Sequence, residues 1–92
     1  MALRINELQR FSINNMNREK FINELTLAYE DLFKNDAEYA YSASKTTPKV
    51  LAEKMTVGLI GGTANHEGAG VKRACKAVGI KHTLKAIRQF LT

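Results

Sequence analysis

Apolar positions in the first half of the chain recur every three or four residues, which is the period of a helix with one buried side. Phe21, Leu25, Ala28 and Leu32, flanked by Ile22, Tyr29 and Phe33, make a wide stripe. The pattern predicts a helix capped by Asn17 and running to about Lys34. Upstream, Leu3, Leu8 and Phe11 mark a shorter helix ending near Ser12, while the alternation of Leu3 and Ile5 also fits a short strand. Asp36 can cap a brief helix holding Ala37, Ala40 and Tyr41, although Tyr39 and Tyr41 equally suit an extended segment.

Thr47-Pro48 is a start signal, with the hydroxyl at the cap and proline at the first helical position, where its missing N–H costs nothing. The helix it opens is expected to reach Ile60, with Val50, Leu51, Met55 and Leu59 inward. Gly61-Gly62 would end it by supplying a left-handed residue. A glycine-rich loop follows over residues 63–70. From Gly70 to Val78 the pattern gives another helix with Val71, Ala74, Cys75 and Val78 inward. Gly79 closes it, and Ile80 folds back on the core. The last helix runs from His82 or Thr83 to Leu91, with Leu84, Ile87 and Leu91 inward and Phe90 at the edge. No internal repeat, low-complexity tract or linker interrupts the chain. The expected fold is all-α, a single domain over residues 1–92. It is a compact bundle of four to five short helices, with a glycine-rich loop before the last helical hairpin and a short N-terminal strand as a variant.

Length narrows the function classes. A chain of 92 residues buries only about 60–65% of its unfolded surface and leaves no interior for a deep cofactor cavity. The longest uncharged stretch, residues 55–66, is broken by Gly58, Gly61 and Gly62 and is too short to cross a bilayer. The first seven residues lack the apolar core of a signal peptide. Cys75 is the only cysteine, which suits a reducing cytoplasm.

Charge is lopsided. Residues 1–41 carry five cations against seven anions, and residues 42–92 carry nine against two, so the halves are −2 and +7. From Gly68 to Thr92 there are six cations and no carboxylate: Lys72, Arg73, Lys76, Lys81, Lys85 and Arg88. Such a block attracts phosphates or an acidic protein surface. Its plainer role is to complement helix C-termini and keep a small domain soluble. Lys72 and Lys76 are four apart, as are Lys81 and Lys85, with Arg88 three further on. On helices this spacing gives a row of cations about 5–6 Å apart beside the apolar stripe, close enough to bridge successive phosphates of one strand.

Residues 71–91 also have the outline of a helix-turn-helix, with Ala74 and Cys75, then Val78-Gly79-Ile80, then Thr83-Leu84 opening a second helix. The Thr-apolar pair falls one residue early, which rotates the second helix by about 100° from a recognition helix; a simple helical hairpin fits as well. The loop from Gly61 to Gly70 offers backbone amides to an anion but is not a Walker motif and contains no Gly-x-Gly-x-x-Gly; a flexible connector explains its glycines. Tyr39 and Tyr41, near Ser42, Ser44 and Lys45, can stack on a base, or pack half-buried with a wet hydroxyl. His66, His82 and Cys75 lack metal-ligand spacing, and nothing supplies a nucleophile held against His66-Glu67. No catalytic residue, metal, cofactor or small-molecule substrate is expected.

The segment TANHEGAGVKRACKAVGIKHTLKAI, residues 63–87, looks like the tail of small bacteriophage proteins. With its size and basic end, the chain resembles phage-encoded anti-CRISPR proteins directed at the type I-F surveillance complex. That resemblance implies a stoichiometric, non-enzymatic inhibitor in the cytoplasm of an infected bacterial host. It would dock on Cas proteins or on crRNA and stop target DNA from pairing. Lys72, Arg73, Lys76, Lys81, Lys85 and Arg88 would contact RNA phosphates or acidic partner residues, with Tyr39, Tyr41, Arg73 and Arg88 as anchors. Two other expectations stand beside it: a helix-turn-helix DNA-binding regulator, and an interaction factor whose basic face serves solubility alone.

Overall fold

The computed structural model describes the backbone of residues 2–92 and the side chains of residues 15–92. Five helices follow one another: α1 (Ala2–Asn35), α2 (Ala37–Ala43), α3 (Pro48–Gly61), α4 (Ala69–Val78) and α5 (Leu84–Leu91), with no strand among the described residues.

The N-terminal expectation is corrected. One continuous helix of 34 residues replaces both the short helix ending near Ser12 and the short strand. The cause is in the composition: residues 2–35 contain neither glycine nor proline, so nothing breaks the backbone hydrogen-bond ladder. The side chains of Leu3, Ile5, Leu8 and Phe11 lie outside the described residues. Asn17 is not a cap. It sits inside α1, where its Nδ2 donates to the Phe90 carbonyl at 3.2 Å, a tertiary use of an amide that local sequence cannot reveal.

The other helix boundaries follow local chemistry. Asp36 caps α2, its Oδ1 accepting from the Glu38 N–H at 2.8 Å. Thr47 caps α3, its Oγ1 accepting from the Val50 N–H at 3.2 Å, with Pro48 at the first position. Thr83 caps α5 in the same way, accepting from the Ala86 N–H at 3.1 Å. α3 and α4 end on left-handed glycines, Gly62 and Gly79.

α1 is the spine. Its buried stripe of Phe21, Leu25, Tyr29 and Leu32 meets Ala52 and Leu59 of α3, Val71, Ala74 and Cys75 of α4, and Ile87 and Leu91 of α5. Every other helix packs on α1, and α5 also touches α3. Full burial of Phe21, Leu25, Leu59, Ile87 and Leu91 contributes about 1.5–3 kcal/mol each relative to exposure. α4 and α5 bury the faces their spacing predicts. α3 does so fully only at Leu59: Val50 is exposed and Leu51 and Met55 are half-buried, while Ala52, Thr56 and Gly58 face inward with it. At Gly58 the small residue is required by the loop that follows, since a Cβ there would lie 2.7 Å from Ala64 Cβ, and Thr56 satisfies its buried hydroxyl by donating to the Ala52 carbonyl at 2.8 Å.

α4 approaches α1 closely at Gly70. A Cβ at Gly70 would overlap the Tyr29 ring. Glycine at the start of α4 is therefore a requirement of packing against an aromatic face.

Candidate functional site

On α4, burial of Val71, Ala74 and Cys75 turns Lys72, Arg73 and Lys76 outward, since successive helical residues advance by about 100°. On α5, burial of Ile87 and Leu91 does the same for Lys85 and Arg88, which flank a shallow depression formed with Leu84, Gln89 and Thr92. All six cations of the carboxylate-free segment are exposed.

Their arrangement differs from a single row in three respects. Lys81 lies in the link before α5 begins at Leu84, so it does not share a helix face with Lys85. Arg73 is held by α1, its Nη1 donating to Asp31 Oδ2 at 2.6 Å, with both side chains about half exposed. The Arg73 guanidinium and then the Asn35 amide hold the Asp31 carboxyl below the ordinary carboxylate range. Lys72, Lys76, Lys81, Lys85 and Arg88 form no ion pair with any described residue. Finally, α4 is anchored on α1 at Tyr29 and Asp31, and α5 at Asn17 and Arg18, whose Nε donates to the Leu91 carbonyl at 2.7 Å. Twelve residues separate Asn17 from Tyr29, or about 18 Å of helix. The cations thus occupy two stations along the length of the spine.

The predicted tyrosines part company. Tyr39 is half-buried, its ring 5.9 Å from Tyr29 and 6.4 Å from Phe33; it is a packing residue and not a free stacking platform. Tyr41 is exposed, with Lys45 Nζ 5.2 Å from its ring centroid. α2 packs on α1.

The glycine-rich loop is held at its start and near its middle by hydrogen bonds. The Gly58 carbonyl accepts from the Thr63 and Ala64 N–H groups at 2.8 and 3.2 Å. Further on, His82 Nε2 and the His66 carbonyl oxygen are 2.6 Å apart, with the two rings edge to face at 5.8 Å. Asn65 Oδ1 takes the Glu67 N–H at 2.9 Å, an Asx turn.

The chain has no match among protein-family models, curated proteins or solved structures. The site is therefore read from its own chemistry. Cys75 is buried, and burial pushes its thiol up, the opposite of what a reactive thiolate needs. Among the described residues no three His, Cys, Asp or Glu side chains gather as metal ligands, and no helix is long and apolar enough to cross a membrane. For the helix-turn-helix outline, α4 and α5 each seat on α1 more than on one another. Sequence reasoning missed the Asp31–Arg73 pair, which joins positions 42 residues apart, and the His66–His82 clamp; neither has a local signal.

Proposed function

We propose that the chain is a non-enzymatic inhibitor that binds a Cas-crRNA surveillance complex through the exposed cations of α4, α5 and the link between them, and so blocks target DNA hybridisation. The observation that carries the reading is the set of Lys72, Lys76, Lys81, Lys85 and Arg88, all exposed and with no ion pair to another described residue, on a segment free of carboxylates apart from the chain end. Cations left unpaired on a rigid scaffold cost nothing to free when a polyanion arrives, and each phosphate they neutralise releases counterions. Two stations along α1 suit an extended anionic strand, or an acidic protein groove, better than a compact small ligand. The type I-F complex is the partner implied by the resemblance of residues 63–87. Such an inhibitor acts in the host cytoplasm and needs only to occupy the channel that holds the strand.

The test is capture of a purified type I-F Cas-crRNA complex by the tagged chain, with target DNA binding measured in parallel. Stoichiometric co-elution and lost DNA binding are expected, both reversed by the triple variant Lys76→Glu, Lys81→Glu, Lys85→Glu. No co-elution with undiminished DNA binding overturns the proposal.

A further inference from the structure

A second surface lies between α1 and α3, built differently from the basic one. Its floor is Ile22 and Ile60, both half-buried, with Val57 on the rim. Of the large hydrophobic side chains left exposed among the described residues, Met16 (66%), Leu27 (58%), Val57 (71%) and Val50 belong to α1 and α3; α4 and α5 have none. Of these, Val57 lines the groove and adds exposed apolar area beside its floor, the kind of surface a partner covers. The groove's charged rim is balanced. α1 supplies Arg18 and Glu19, and α3 supplies Lys49 and Glu53. No ion pair among the described residues joins any of the four.

This pattern selects the occupant. A polyanion would meet Glu19 and Glu53, and a basic partner would meet Arg18 and Lys49. Two cations and two carboxylates, one of each sign per helix, are complementary to the same set turned by a two-fold rotation, the condition for an isologous contact. We infer that the α1–α3 groove is the self-association face of this chain, through which a second copy docks to form a two-fold dimer. Charge also determines which face can pair. Two copies meeting through α4 and α5 would bring together segments of six cations each, whereas the α1–α3 face is neutral at its rim and α3 and α4 have at most slight contact with each other. Val57 of each copy is covered by the other, and Lys49 and Glu53 of one copy meet Glu53 and Lys49 of the other.

Sedimentation equilibrium of the full chain over a wide concentration range tests this, with circular dichroism as the check on folding. The expected result is a dimer of 10.3 kDa subunits. Val57→Asp, an exposed position whose change leaves the core intact, should raise the dimer dissociation constant at least tenfold without loss of helicity. Lys49→Glu and Glu53→Lys should each weaken the dimer, and mixing the two variants should restore association as a heterodimer. A monomer at every concentration overturns the inference, as does a dimer indifferent to Val57→Asp or a mixture that fails to associate. The inference does not rest on the identity of the anionic partner, since Val57→Asp leaves every cation of α4 and α5 in place.

Discussion

Replacing Gly70 with alanine adds one methyl group where the packing of α4 on α1 has no space for it. The new Cβ would lie 2.9 Å from Tyr29 Cδ1 and 3.1 Å from Cζ, with Cε1 nearer still. Tyr29 cannot swing aside: it is 2% exposed and its ring is flanked by Phe33 at 6.1 Å and Tyr39 at 5.9 Å. Overpacking of this kind costs about 1–3 kcal/mol. Glycine to alanine in a helix returns up to about 1 kcal/mol of backbone entropy, less in a first turn. The net expectation is a loss of about 1–2 kcal/mol, at about 4–8 °C of melting temperature per kcal/mol for a domain of this size. Urea denaturation followed by circular dichroism reads it as a lower midpoint with unchanged slope. Gly61→Ala is the internal control, because nothing lies within 4 Å of its Cβ and only the entropy gain applies, so it should be neutral to stabilising. A double-mutant cycle assigns the cause: in a Tyr29→Ala background, Gly70→Ala should lose most of its cost. A Gly70→Ala protein as stable as the parent, or a cost unchanged without the Tyr29 ring, refutes the packing argument.

Other perturbations read other parts of the structure. Burial, and then the neighbouring Tyr39, raise the Tyr29 phenol above its ordinary value. The folded state therefore keeps a proton that the unfolded state loses above about pH 10, and stability should fall with rising pH there by up to about 1.4 kcal/mol per unit; Tyr29→Phe should flatten that alkaline limb in pH-dependent urea melts. Thr83→Ala removes the side-chain acceptor of the Ala86 N–H and should cost about 1 kcal/mol in thermal unfolding; no change would mean that α5 is held by packing alone. Asp31→Asn releases Arg73 from its pair and should tighten binding to an anionic partner, steepening its salt dependence by about one counterion. That substitution should also flatten the acid limb of stability, because a carboxyl held low stabilises the fold above the ordinary carboxylate range and loses that contribution as pH falls.

Local chemistry was legible wherever a helix end depends on one residue: Asp36, Thr47, Gly62, Thr83 and Gly79 all act as their types dictate. The buried faces of α4 and α5 were legible for a related reason. Each is short and carries its large apolar residues on one stripe, so its apolar period maps onto one direction. α3 faces α1 on one side and α5 on another, and its inward residues were chosen by size as well as by hydropathy. Counting large apolar residues therefore selected Val50 over Ala52. Asn17 misled because a capping residue type is also a good long-range donor, and Phe90 lies 73 positions away. The exposed cations followed from the apolar positions that force them outward, but their division into two stations depends on where α4 and α5 meet α1.

The spine connects the two surfaces. Tyr29 and Asp31 seat α4 on α1, while Glu19, Ile22 and Asn23 line the groove toward α3, and Arg18 borders both that groove and α5. A copy docked in that groove leaves the basic surface of each subunit free, so a dimer displays two basic surfaces on one rigid body. Binding of the first to a repetitive polyanion then makes the second binding event intramolecular, which can raise avidity by about 10²–10⁴ without any new contact. Under the proposed inhibitor function, Val57→Asp should therefore weaken binding to a long repetitive anionic target far more than to a short fragment that accommodates one subunit. Equal loss on both would mean that the groove acts on the partner directly, and not through pairing of the basic surfaces.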